Sequence, residues 1–96
     1  MSIDLKLYVT GRNRLSDRAQ KNLRKLTDLL DSSHVEVVDI LEEPDVAESN
    51  RIVATPLLVR VSPKPEKRIF GDLSDVDVLV TEMGLIDDGH GRYVAD

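Results

Sequence analysis

The chain has no cysteine and no tryptophan, and only one phenylalanine and two tyrosines in 96 residues. Without cysteine there is no disulfide, no thiol nucleophile and no Cys-ligated zinc, a composition at home in a reducing compartment. With so few aromatics the core must be aliphatic, and a domain this small folds with little margin. No stretch approaches the ~20 apolar residues of a membrane span. Met1 to Thr10 lacks the charged-then-apolar layout of a signal peptide, so a soluble, cytoplasmic protein with no membrane partner is expected. An excess of base is missing too. The 18 Asp+Glu against 13 Lys+Arg give a net charge of -5, which argues against global attraction to nucleic acid. What is present is 41% hydrophobic and 32% charged, the balance of a globular chain, and 96 residues allow one domain.

Ile3, Leu5, Leu7 and Val9 alternate with Asp4, Lys6, Tyr8 and Thr10, the period of two of a strand with one face on a core. Gly11 and Asn13 break that pattern, and Ser16 stands where an N-cap would open a helix from about Asp17 to Leu30. Its apolar residues Ala19, Leu23, Leu26 and Leu30 line one stripe. Val35, Val37, Val38, Ile40 and Leu41 form a β-branched run too short for a helix, expected as a central strand. Pro44 suits the first turn of a second helix containing Val46, Ala47, Asn50 and Val53. Leu57 to Val61 and Lys67 to Phe70 read as the arms of a hairpin, and Val76, Leu79, Val80 and Met83 as one face of a last helix. Residues 87–96, with Gly89, Gly91 and no periodicity, are expected as a mobile tail after a single domain at 1–86. The order strand, helix, strand, helix, strand, strand, helix predicts an α/β, thioredoxin-like βαβαββα fold.

Little in that frame carries catalysis. A redox protein of this fold bears Cys-x-x-Cys in the loop after the first strand, where this chain has Thr10-Gly11-Arg12-Asn13-Arg14-Leu15-Ser16. Ser16 has no histidine near it in sequence and suits a cap better than a nucleophile. His34 and His90 share no ligand spacing, and Gly11 alone cannot cradle a nucleotide, so no catalytic residue, metal or cofactor is expected. Arg14, Arg18, Lys21 and Lys25 follow one another at spacings of four, three and four, a basic stripe away from the leucines. It reads either as a solvated helix face or as a docking surface for an acidic protein. RNA ranks third, because no aromatic stacking platform accompanies it. Pro56, after Thr55 at the head of a strand, is a candidate structural cis-proline.

Leu5-Lys6-Leu7-Tyr8-Val9-Thr10-Gly11, Val38-Asp39-Ile40-Leu41, Ile52-Val53-Ala54-Thr55-Pro56-Leu57 and Arg68-Ile69-Phe70-Gly71-Asp72-Leu73-Ser74 together resemble the KaiB family of circadian clock proteins. The match runs from about Leu5 to Gly84, and the same motifs look like the N-terminal sensory domain of SasA-type kinases. The resemblance implies a non-catalytic regulator that binds the hexameric ATPase KaiC, with KaiA or a SasA- or CikA-type kinase as further partners. It also implies fold switching between a tetrameric ground state of order βαββααβ and a monomeric thioredoxin-like form. Carried onto this sequence, Asp45, Arg51, Ile52 and Val53 would face KaiC, and Arg18 would lie near a further partner. The chain departs from the family at Pro63-Lys64-Pro65-Glu66 and at Glu82-Met83-Gly84-Leu85-Ile86-Asp87. Because Val76 to Met83 reads as helix, the thioredoxin-like state is expected to predominate. The competing expectations are an adaptor in stress response or two-component signalling and a thioredoxin-fold enzyme using Ser16 or Thr10.

Overall fold

A computed structural model describes residues 2–95; Met1, in the expected domain, and Asp96, in the expected tail, lie outside the described residues. The elements are β1 (Ile3–Val9), α1 (Arg14–Thr27), β2 (Ser33–Asp39), α2 (Pro44–Ser49), β3 (Leu57–Ser62), β4 (Lys67–Phe70), α3 (Val76–Glu82), β5 (Leu85–Asp87) and β6 (Tyr93–Ala95). The first seven follow the thioredoxin-like order that the periodicities predict. Four strands form one sheet in the order β2-β1-β3-β4, with β1 parallel to β2 and antiparallel to β3, and β3 antiparallel to β4.

β1 holds this arrangement together because both of its faces are covered. Ile3, Leu5, Leu7 and Val9 pack with Ala19, Leu23, Leu26 and Leu30, and with Leu79 and Met83 from the α3 side. Tyr8, expected on a polar face, is instead 2% exposed and joins Val38, Ile52, Leu57 and Val59 on the other face, beneath Val46 and Ala47 of α2. The alternation of side chains along a strand therefore sends α1 and α3 to one face and α2 to the other.

Several local expectations are corrected. β2 is an edge strand rather than a central one. Its valines show apolar character without showing how many neighbours the strand has, and Val37 remains 46% exposed. The N-cap of α1 is Asn13, whose side-chain oxygen accepts from the Ser16 backbone N–H at 2.9 Å. Ser16 itself turns into the core, and the helix begins three residues earlier than expected. At the other end α1 stops at Thr27, and Leu30 bridges to Tyr93.

The segment expected as a tail contributes strand. β5 and β6 pair antiparallel, the Tyr93 N–H donates to Leu29 O at 2.7 Å, and Arg92 Nη1 donates to Leu30 O at 3.1 Å. The reason is tertiary: Tyr93 and Ala95 pack on the main core, and backbone groups beyond α1 supply the partners that a short segment cannot supply itself.

Candidate functional site

The loops at the carboxyl ends of β1 and β2 and the amino end of β3 meet at one end of the sheet. Asp39 organises them, its Oδ1 accepting from the backbone N–H groups of Gly11 and Leu41, each at 2.9 Å. Thr10 Oγ1 lies 2.6 Å from Thr55 Oγ1, tying the β1–α1 loop to the Thr55–Pro56 bond, which is cis. Gly11 sits at φ +61°, where a side chain is disfavoured, and an added Cβ would come within 3.2 Å of Leu41. In place of a dithiol, this loop is held by hydroxyl, amide and carboxylate groups. Ser16 is 1% exposed, which removes it from any surface chemistry.

Beyond this end, α2 is a six-residue helix with Pro44 in its first turn, no side-chain cap and no fully buried residue. Its exit is held from β4. Arg68 Nη2 donates to Asn50 O at 2.7 Å and Nη1 to Arg51 O at 3.4 Å. Arg51 adopts φ 55°, a left-handed conformation that costs a non-glycine residue ~1 kcal/mol. That turn sends Ile52 inward and Val53 outward. Ile52 is 9% exposed and packs with Tyr8, Val38, Leu57 and Val59, whereas Val53 is 96% exposed.

Of the residues singled out in the sequence, Asp45, on α2, and Arg51 and Val53, just after it, are each exposed. Ile52 is not presented with them; it is the anchor beneath. Arg18 lies across the sheet on α1, where Nη1 is 4.0 Å from Asp72 Oδ2. Two further apolar side chains accompany the α2 side, Leu41 at 66% exposure and Phe70 at 62%. Phe70 pairs with Leu57 across β3 and β4, which puts it on the α2 face. A phenylalanine at an outward strand position was the available sequence signal, masked there because strand alternation alone leaves inside and outside undecided.

A cysteine-free thioredoxin-like frame with Gly11, Pro56 and the Gly71-Asp72-Leu73-Ser74 turn has a counterpart among known domains. The KaiB domain model matches residues 6–83. The chain belongs to the KaiB family. The circadian clock oscillator protein KaiB of a Synechococcus species is 40% identical over 96% of this chain and 90% of its own length. That of Parasynechococcus marenigrum is 41% identical over 88% and 83%. Among solved structures, the N-terminal domain of Synechococcus elongatus SasA superposes with a TM-score of 0.65 at 23% identity, over 84% of this chain and 75% of that one. Oxidised mitochondrial thioredoxin 3 of Saccharomyces cerevisiae superposes with a TM-score of 0.69 at 19% identity, over 82% and 74%. These two likenesses establish the thioredoxin-like fold. Membership of the KaiB family places the chain among circadian clock proteins, a family of regulators rather than known enzymes. No helix among the described residues is long and apolar enough to cross a membrane.

Proposed function

We propose that this KaiB-family chain is a non-catalytic regulator in the cytoplasm that binds a KaiC-type hexameric ATPase through the α2 side. In doing so it controls that partner's phosphorylation state or its access to KaiA and to SasA- or CikA-type kinases. The observation that supports this reading is Val53, a large apolar side chain 96% exposed between Arg51 and the buried Pro56, where the core below has no use for it. An exposed apolar residue two positions after Arg51, following a helix that bears the exposed carboxylates Asp45 and Glu48, suits a protein surface that supplies an apolar pocket and charges of both signs. The thioredoxin-like form is the resting and binding-competent state, so association is fast and proportional to partner concentration.

The test is interferometry of the purified chain on an immobilised KaiC-type hexamer, held with ATP in one arm and ADP in the other. Nucleotide-dependent binding that Val53→Asp or Arg51→Ala weakens, with the fold retained, is the expected result. Absence of binding in both arms overturns the reading.

A further inference from the structure

Two ties fasten the segment after α2 to β4. At one end Arg68 donates to Asn50 O and Arg51 O, and at the other the Gly71 N–H donates to Pro56 O at 3.0 Å. Between the ties stand Val53 on one segment and Phe70 on the other, both exposed, and Phe70 shares its face of β4 with Arg68. β4 is the outer strand of the sheet, so no neighbouring strand shields Phe70 from outside. Around that edge, between Phe70 and the start of α3, lies a groove of about 200 Å³. Ile69, Leu73 and Val78 give it an apolar lining, and Asp72 and Asp75 supply carboxylates. Leu73 is 5% exposed and adopts φ 63°, which shapes the turn from β4 into α3. Arg18 Nη1 lies 4.0 Å from Asp72 Oδ2, whereas Asp75 pairs with no cation among the described residues, its Oδ1 accepting from the Val78 N–H at 3.2 Å. Residues 69–84 include no lysine or arginine.

We propose that Phe70 and this groove form a second subsite of the partner surface, which takes an apolar side chain adjoining a lysine or arginine of the KaiC-type ATPase. The inference rests on the binding through Val53 proposed above and carries it around the edge of the sheet. Charge selects the occupant. An acidic segment would be repelled by Asp72, Asp75 and Asp77, and a wholly apolar one would strip water from Asp75 and leave it unpaired. A cation beside an apolar group satisfies both demands, because it can meet the Asp75 carboxylate and the face of the Phe70 ring while its neighbour fills the groove. The subsite therefore discriminates between partners as well as adding affinity, since the same carboxylates that attract one segment reject another.

The experiment is interferometry of the full chain on the immobilised KaiC-type hexamer, in the nucleotide state that the unsubstituted chain binds, at about 0.1 M and about 1 M salt. Phe70→Ala is expected to raise the dissociation constant about tenfold at both salt concentrations, and Phe70→Leu to recover part of the loss. Asp75→Asn is expected to weaken binding severalfold at the lower salt and to match the unsubstituted chain at the higher, where the charge it lacks is screened anyway. An asparagine still accepts the Val78 N–H, so the start of α3 keeps its cap. Both positions are exposed, and thermal melts verify that each variant folds. If the unsubstituted chain binds and Val53→Asp weakens it, but either Phe70→Ala or Asp75→Asn binds at the lower salt as tightly as the unsubstituted chain, this proposal is overturned and the binding reading stands. An unsubstituted chain that binds in neither nucleotide state overturns both.

Discussion

Among the described residues, thirteen buried ones form a continuous core on one face of the sheet, under α1 and α3; on the other face five do so under α2. α1 has a side-chain cap and four buried positions, whereas α2 has neither a side-chain cap nor a buried residue and depends on Arg68 and Ile52 for its place. The difference separates two tasks. The thick face supplies most of the stability of this small chain, and the thin face leaves Leu41, Val53 and Phe70 in solvent.

The comparison breaks if equivalent deletions on the two faces cost the same. Leu58→Ala, at 0% exposure beneath the thick face, is expected to destabilise by about 2–5 kcal/mol, and Ile52→Ala on the thin face by less, both read by chemical denaturation. Next comes Arg60, a charged group 2% exposed on the thick side. Its Nη1 donates to Met83 O at 2.7 Å and Nη2 to Pro65 O at 3.0 Å, while Nε has no partner among the described atoms. Arg60→Ala frees two carbonyls and unties the end of α3 from the β3–β4 turn, at a cost of about 1–3 kcal/mol. Arg60→Lys does not restore it, because an ammonium cannot span both acceptors as the planar fork does. Thermal melts of the pair decide this.

A smaller effect, about 1 kcal/mol, is expected for Asn13→Ala, which removes the cap of α1. Ser16→Ala leaves that cap intact, so a helix loss specific to Asn13 sharpens the corrected boundary. Asp72 gives an acid-side signature. Hydrogen bonds from Ser74, its side chain first and then its backbone N–H, hold the carboxyl below its ordinary value of 3.8, and Arg18 adds to this. A depressed folded-state value means stability that is present above 3.8 and lost as pH falls through the lower value. Asp72→Asn should therefore lower the melting temperature slightly at neutral pH and converge with the unsubstituted chain at the acid end, which flattens the acid slope of the profile. Smallest of all, Val53→Asp should alter stability by no more than about 0.5 kcal/mol while weakening partner binding.

Periodicity in the chain was enough to place the first seven elements. Leu5, Leu7 and Val9 at every second position, and Leu23, Leu26 and Leu30 at helical spacing, describe each element's own face. They do not say what covers it. The same limit accounts for Tyr8 in the second core, β2 at the edge and Ser16 in the interior, since each depends on a neighbour distant in sequence. The segment from Asp45 to Val53, proposed above as partner-facing, was singled out in the sequence without the division between its buried and exposed residues. The left-handed turn at Arg51 reverses which residues point outward, and only packing against Tyr8 and Val38 makes Ile52 the buried one.

Composition and pattern by themselves determined an aliphatic, cysteine-free α/β domain with the element order of a thioredoxin-like fold and the motifs of the KaiB family. The tertiary structure alone decided that β6 docks beside the end of α1, that Arg60 is buried, and that Arg18 of the basic stripe comes within 4.0 Å of Asp72. Local preference follows from neighbours within a few residues, whereas burial and charge juxtaposition arise between residues 23 to 62 positions apart, as from Arg60 to Met83 and from Leu30 to Arg92.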